Sequence, residues 1–469
     1  MAKYEQLADK LASQIKQGIW QPGEKLPSLR KQSSLTGYSL MTVLHAYQLL
    51  ESQGVLSAVQ RSGYRVADSV EVASTTGVMQ SAESVSVNDF VFDVLQASRD
   101  PHMFSLGFAY PDPALYPRHQ LTKSLTAAAK QTTVTSALDN LPPGNRELRQ
   151  LIAQRYAARG LHVSPDEIVI TAGALEALSL SLQVVTKPGD WVLIESPAFY
   201  GAMQALERLG LRAVSVEVTP DKGINLAAVE RALQNKPVRA CWLMSNFQNP
   251  VGYSMTDYTR QALADLLAKY RVALIEDDVY AELYSSGQPL LPIKHFCKNG
   301  NSLLCSSFSK SLVAGFRIGW VAAGEHAKAI QKQQLMSTIS TSVPIQMALV
   351  DYLETRNYEK HLHQLRSALR QRKKAMYEYL RGHWGSFAKV HHSSGGYFLW
   401  VEFSPQVDTL AIYHMALALH ITLAPGRLFS LHGEYSHCLR INASFELTPA
   451  RLQLLNRLTR KIIHYLEQI

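Results

Sequence analysis

Cysteine is scarce in this chain. Its 469 residues hold four, at positions 241, 297, 305 and 438, with no C-x-x-C spacing. That rules out a disulfide scaffold or a zinc framework and reads as buried thiols in a reducing compartment; no metal site is expected. Long apolar runs are missing as well. No stretch approaches the ~18 residues of a membrane span. Residues 1–20 alternate charged and apolar positions where a secretory leader would carry an unbroken apolar core. The expected setting is the cytoplasm. Charge of one sign does not dominate either: 47 Lys/Arg against 38 Asp/Glu give a net +9, which suits an anionic partner without requiring one. A 46% hydrophobic composition supplies a large core, and the length suggests roughly two to four domains.

Residues 1–67 have a pattern of their own. Tyr4, Leu7, Leu11 and Ile15 mark one face of a helix that Gly18 and Pro22-Gly23 stop. A second helix restarts at Pro27-Ser28 and ends at Gly37; a third runs from the Ser39 cap to about Gln53. On the third, Val43, Tyr47 and Leu50 point inward, and Met41, Thr42 and His45 share the opposite face. Val55–Val59 and Tyr64–Val66 read as two strands around a turn at Gln60–Gly63. Three helices and a two-stranded wing predict a winged helix-turn-helix whose third helix enters the major groove of DNA.

The stretch Gly23–Arg30 with Pro27-Ser28-Leu29-Arg30, then Thr42-Val43 and Ala46-Tyr47, resembles the GntR family of bacterial regulators. The resemblance implies a double-stranded DNA operator as partner. Arg30 and Thr42 would contact its backbone, Met41 and His45 its base edges, and Arg61 at the wing a phosphate or the minor groove, with Ser39 and Gly63 framing the interface. Leu40 stands where the family often has Arg, and the wing reads Arg61-Ser62-Gly63 in place of Gly-Ser-Gly. Residues 1–68 carry eight Lys/Arg against five acids, so one copy binds weakly and two on paired half-sites are needed. Residues 68–88 have no aromatic and no helical period, and read as a mobile tether. Twenty residues reach at most ~65–70 Å.

Beyond the tether, apolar strands at Ile168–Thr171, Trp191–Ile194, Val214–Val218, Ala240–Met244, Val272–Ile275, Leu303–Ser306 and Ile318–Ala322 mostly alternate with helical stretches. They predict an α/β fold with a mixed, mostly parallel sheet over about 110–335, and a smaller α+β part over about 336–469 plus the N-terminal segment of this region. Ligands of such sheets gather at the carboxyl ends of the strands. Thr171-Ala172-Gly173-Ala174-Leu175 turns from strand to helix, aiming free N–H groups at an anion. Ser245–Gly252, SNFQNPVG, fixes a turn and aims Asn249 out of it. Glu276-Asp277-Asp278 cannot all be buried unpaired, so one of them needs a cationic partner and the others are expected behind the site or at the surface. The basic cluster Arg366, Arg370, Arg372, Lys373, Lys374 reads as a solvated helix face.

The stretch Ser306–Trp320, SSFSKSLVAGFRIGW, ties these together. A lysine works as a nucleophile only where its pKa is lowered. Ser307, Ser309, Lys310, Gly315, Arg317 and Gly319 resemble the lysine motif of fold-type I aminotransferases, which use pyridoxal 5'-phosphate (PLP). The resemblance makes Lys310 the Schiff-base lysine and Asp277 the partner of the pyridine nitrogen. Tyr280 and Asn249 would lie at the phenolic oxygen, with Phe199 stacked on the ring. Gly173, Ala174, Leu175, Ser307 and Arg317 would surround the phosphate, Ala174 and Leu175 offering backbone alone. Arg440 would grip a substrate carboxylate, with Asn249 beside it. Asp139 stands near where relatives often have a Tyr that reaches the neighbouring subunit.

A GntR-like module tethered to an aminotransferase-like region resembles the MocR group of bacterial regulators. It implies a head-to-tail homodimer that senses PLP or a small amino compound. The rival expectation is a working aminotransferase, converting amino acid to 2-oxo acid, that carries an accessory DNA-binding module.

Overall fold

The computed structural model describes residues 2–59, 63–67, 87–100, 102–132, 141–285, 287, 289–298, 300–430 and 433–468. The chain divides into two compact units, residues 1–84 and 85–469.

In the first unit, α1 (Lys3–Lys16), α2 (Leu29–Thr36) and α3 (Leu40–Ser52) precede an antiparallel pair, β1 (Leu56–Val59) and β2 (Gly63–Val66), with Leu56 opposite Val66. The caps explain the boundaries. Ser28 Oγ accepts from Lys31 N and Ser39 Oγ from Thr42 N, while Gly37 takes the left-handed conformation at φ 71° that closes α2. Leu7, Leu11, Ile15, Val43, Ala46, Tyr47 and Leu50 are all buried, and each large aliphatic among them contributes about 1.5–3 kcal/mol. Tyr47 OH donates to Pro27 O at 2.9 Å, pinning α3 to the loop before α2. The turn at Gln60–Ser62, with Arg61, lies outside the described residues, as do residues 68–86 of the expected tether and Asp139.

The second unit opens with α4 (Val87–Ala97). The helix starts within the last two residues of the expected tether, because Phe90, Val91 and Val94 recur at helical spacing and are buried. Its main sheet has eight strands, in the order β4 (Ile168–Thr171), β11 (Gly319–Ala322), β10 (Ser302–Ser307), β9 (Ala273–Asp277), β8 (Val238–Leu243), β5 (Trp191–Ser196), β6 (Arg212–Thr219), β7 (Gly223–Ile224). The five strands from β10 to β6 pair in parallel; β11 runs antiparallel to both β10 and β4, and β7 antiparallel to β6. The expected strands are all present, in a sheet whose parallel centre is covered on both faces.

A smaller antiparallel sheet, β12 (Ala388–His391), β13 (Phe398–Phe403), β16 (Cys438–Asn442), β15 (Ala424–Pro425), forms the C-terminal part. Beside it β3 (Phe104–Ser105) pairs in parallel with β14 (Ile421–Thr422). This pairing joins the segment after α4 to the C-terminal part.

The basic cluster departs from expectation. It lies on the helix Tyr358–Trp384, yet only Lys374 of the five is a solvated residue paired to its own helix, with Glu378 at 3.7 Å. Lys373 is 1% exposed and donates to Ser393 O at 2.7 Å and Gly395 O at 2.6 Å. Arg372 pairs with Asp112 at 2.9 Å, Arg366 donates to Glu282 O and stacks on Tyr284, and exposed Arg370 donates to Ser285 O. The helix spans the two parts of the unit, so one face of it is turned inward. Among the described residues no helix is long and apolar enough to cross a membrane.

Candidate functional site: a lysine-floored cavity and a helical DNA-reading face

The carboxyl ends of β4, β5, β8, β9 and β10 deliver Gly173, Phe199, Asn249, Asp277 and Ser307 to one place, as the parallel order requires. Phe199, Asn249, Asp277 and Ser307 line a cavity of about 490 Å3 together with Tyr280, Lys310, Arg317, Ala174 and Leu175, and Gly173 packs against Arg317 at its edge. Nine residues expected at a cofactor site, scattered over 144 positions from Ala174 to Arg317, therefore surround one space.

Lys310 Nζ donates to Ala109 O at 2.6 Å and stands 3.6 Å from the centre of the Tyr110 ring. Burial pulls its pKa from the usual lysine range to about 7; Arg440 and Arg317 push the same way, and Asp277 opposes. Asp277 is fully enclosed at the end of β9, accepting from Val279 N at 3.4 Å, and burial raises its carboxyl to about 7. Tyr280 is buried, its hydroxyl pushed well up by burial.

The neighbouring acids correct an expectation, for all three are buried. Glu276 accepts from Ser245 Oγ, from Ile293 N at 2.8 Å and from Lys294 N at 3.0 Å. Asp278 accepts from Asn246 Nδ2 at 2.7 Å, and Arg159 lies 3.9 Å away. Hydrogen bonds satisfy Glu276, Asp278 also has in Arg159 the cationic partner that one of the acids was expected to need, and burial raises both pKa values, Asp278 to about 7.

Opposite Lys310, the helix Ala174–Val185 begins at Gly173. Gly173 has φ 92°, and a Cβ there would lie 2.6 Å from Arg317 Nη2. Gly319 has no room for a side chain either, since a Cβ would sit 2.5 Å from the Gly173 carbonyl carbon. Two glycines thus let β11 bring the Arg317 guanidinium against the positive end of a helix. Arg317 itself holds a positive φ of 52°, costly for a side chain with a Cβ. It donates to Tyr110 OH at 3.1 Å and Ala172 O at 3.3 Å and has no ion pair among the described residues. The one carboxylate in the helix's first turn, Glu176, is bound to Ala172 N and Thr338 Oγ1. A cation set against a helix N-terminus, with both free toward the cavity, is a seat for an anion such as a phosphate.

Arg440, on β16, is 1% exposed and reaches the cavity through Asn249, donating to its Oδ1 at 2.8 Å and to Gly107 O. The rings of Phe398 and Phe429 cover it at 4.4 and 5.1 Å. It has no acidic partner among the described residues, and its Nε has no hydrogen bond.

Sequence reasoning passed over Tyr110, Ala109 and Gln248. Gln248 donates to Pro197 O at 2.8 Å and accepts from Val251 N at 3.0 Å, so it locks the turn bearing Phe199 to the turn bearing Asn249. Its place inside SNFQNPVG was the only sign. For Tyr110 and Ala109, the Pro-Asp-Pro that follows was a turn signal pointing at the right loop.

In the first unit, Met41 is 56% exposed, and His45 and Arg30 are exposed with it. Met41, Thr42 and His45 line one face of α3, Ser39 caps that helix, and Gly63 opens β2 at φ 96°.

Residues 3–66 match the family model of bacterial regulatory proteins of the gntR family, and residues 112–457 match that of aminotransferase class I and II. The HTH-type transcriptional regulator YdcR of Escherichia coli (strain K12) is 52% identical over 98% of this chain and 99% of its own. The chain belongs to the MocR-type transcription regulators. Among solved structures, the multiple substrate aminotransferase of Thermococcus profundus superposes on this regulator with a TM-score of 0.74 and 26% identity, covering 83% of this chain and 97% of its own. The kynurenine aminotransferase of Pyrococcus horikoshii, solved in complex with PMP, gives 0.74 and 27% over 82% and 96%. This MocR-type regulator thus joins a gntR-family DNA-binding unit to an aminotransferase fold of type I, and PLP dependence is implied by the family.

Proposed function

We propose that this regulator binds PLP covalently at Lys310, senses PLP itself or an amino compound, and adjusts its hold on an operator as a head-to-tail homodimer. The observation that carries the reading is the paired setting of Lys310 and Arg317, a lysine with its pKa near 7 facing an anion seat that lacks an anionic partner among the described residues. When bound, PLP supplies an aldehyde that takes up primary amines and a ring that withdraws electrons.

The chain's own residues do the rest. Lys310 Nζ, largely neutral above pH 7, is the attachment point and the base. Asp277 would hold the proton at the pyridine nitrogen, where its own raised pKa matches the task. Arg317, Ser307 and the N–H groups at Ala174 and Leu175 would hold the phosphate, Phe199 would cover the ring, and Tyr280 and Asn249 would meet the phenolic oxygen. Arg440, a buried guanidinium with no carboxylate partner among the described residues, would receive one from an amino acid.

Leu335, Met336 and Ile339, exposed by 50–75%, lie beside a cleft lined by Leu175, Ser337 and Thr338. Such an apolar patch supports a second copy as its cover. In the first unit, Arg30, Met41, Thr42, His45 and Arg61 are the residues offered to DNA.

A ligand alters DNA binding only through unequal affinity for two arrangements of the dimer. The test is DNA affinity at fixed salt with and without PLP and candidate amines, alongside borohydride reduction and mass analysis at Lys310. Identical affinities throughout end the sensing proposal; no adduct at Lys310 ends the attachment. Steady turnover of an amino acid with a 2-oxo acid, at ~1 s⁻¹ or more, would instead favour the enzyme reading, which the joint presence of Lys310, Asp277 and Arg440 supports.

A further inference from the structure

Among the described residues, four of those lining the Lys310 cavity are charged: Asp277, Lys310, Arg317 and Arg99. The first three have tasks in the proposed function, and Arg99 has none. It lies just past the end of α4, its backbone N–H donating to Gln96 O at 3.0 Å, so the last turn of the helix folds it back toward Gln96. Its Nη1 donates to Gln96 Oε1 at 3.1 Å, a neutral group, and it has no ion pair among the described residues. Gln96 lines the same cavity, as does Gln204 from the helix Tyr200–Arg208.

The rest of α4 is fixed. Phe90, Val91 and Val94 are buried in the core of the unit, and the Phe90 ring meets Tyr413 edge-on at 5.6 Å. The buried face anchors α4, and its C-terminal end carries one exposed cation and one exposed carboxamide at the cavity. A planar guanidinium held by a neutral neighbour keeps its charge and most of its donors for a ligand.

We propose that Arg99, supported by Gln96, determines ligand specificity by binding a second anionic group at the far end of the sensed amino compound. The ligand class is therefore an amino acid with an acidic tail, carboxylate or phosphate, in preference to one with an alkyl tail. This rests on the reading of the cavity as a PLP site with Lys310 and Arg317 engaged by the cofactor. It also sets the ligand's tail against the first described element after residues 68–86, the helix through which the chain enters this unit.

The test uses the full-length, PLP-loaded protein. L-norvaline, L-glutamate, L-2-aminoadipate and O-phospho-L-serine are titrated separately, with the shift of the visible absorbance band as readout. The wild type is expected to bind at least one acidic compound about 10-fold or more tighter than norvaline, the size of one charge-assisted contact. Whether a carboxylate or the phosphate compound leads identifies the tail. In Arg99→Gln that preference falls about tenfold while norvaline affinity stays within about twofold, and Arg99→Lys recovers part of it. A wild type without preference, or an Arg99→Gln protein that keeps it, overturns the inference and leaves PLP binding standing. A wild type with no visible band after PLP loading overturns the PLP reading, and this inference with it.

Discussion

The cavity and the proposed DNA-reading face use charge in opposite ways. Around Lys310, ionisable groups are drawn out of water: Lys310 falls to about 7, Asp277 and Asp278 rise to about 7, and burial comes first among the causes each time. On the first unit, Arg30, Lys31 and His45 stay exposed, and among the described residues no ion pair lies within 3–67. A chemical site needs groups poised to exchange protons, so burial tunes them. A polyanion is met by cations left in water, whose strength comes from releasing counterions. The same residue types are legible in one region by enclosure and in the other by exposure.

Removing one amine tests the enclosed side most severely. Lys310→Ala should lose the borohydride-fixed adduct entirely, together with the visible absorbance band, while circular dichroism stays native. An adduct that persists at another lysine would break the comparison at its centre. Next in size is Arg317→Ala, which should weaken PLP binding about 10–100-fold, in keeping with the roughly 1.5–3 kcal/mol of a charged hydrogen bond. A change below about threefold, by equilibrium dialysis, would mean that the helix N-terminus holds the phosphate unaided.

Lys373 sharpens the point about burial away from the cavity. Its pKa is lowered to about 7 by desolvation, with three oxygen acceptors and no acid among the described residues. Between about pH 7 and the ordinary lysine value the unfolded chain holds the proton and the folded one does not. Stability therefore rises with pH through that window and is lost as pH falls through about 7. Relative to Lys373→Met, the wild type should gain roughly 1–3 kcal/mol from pH 7 to pH 9 in urea unfolding. Parallel pH profiles would show that Lys373 stays charged where it is.

The smallest effect belongs to the exposed side. Arg30→Ala should lower DNA affinity by a similar factor on every sequence and reduce the salt slope by about one. Met41→Ala should instead change the ranking of operator variants, as a base contact does. Competition assays at two salt concentrations separate the two outcomes.

Much of this was open to reading along the chain. The caps Ser28 and Ser39, the glycine at 37 and the apolar period of α3 are local signals, so the three helices and wing follow from neighbours in sequence. The continuous apolar strands predicted a parallel sheet, and the sheet rule located the site at its carboxyl ends. Glu276 and Asp278, at the end of β9, were misjudged because their solution lies elsewhere in the chain: Ser245, Asn246, Arg159 and the N–H groups of Ile293 and Lys294. Lys373 was misread for a similar reason. A run of basic residues looks solvated until a loop twenty positions away closes over one of them.

What the sequence determined by itself is whatever depends on residue type and short spacing: a helix-turn-helix with its caps, a lysine motif with its glycines, a sheet of buried strands. Only the tertiary structure decided which cations lack an acidic partner among the described residues. Arg99, Arg317 and Arg440 are alike as letters, and they differ in what folding brings beside them: a carboxamide, a helix N-terminus, and two aromatic rings over Asn249. Charge is a property of a residue, but its solvation and its partners are properties of a place.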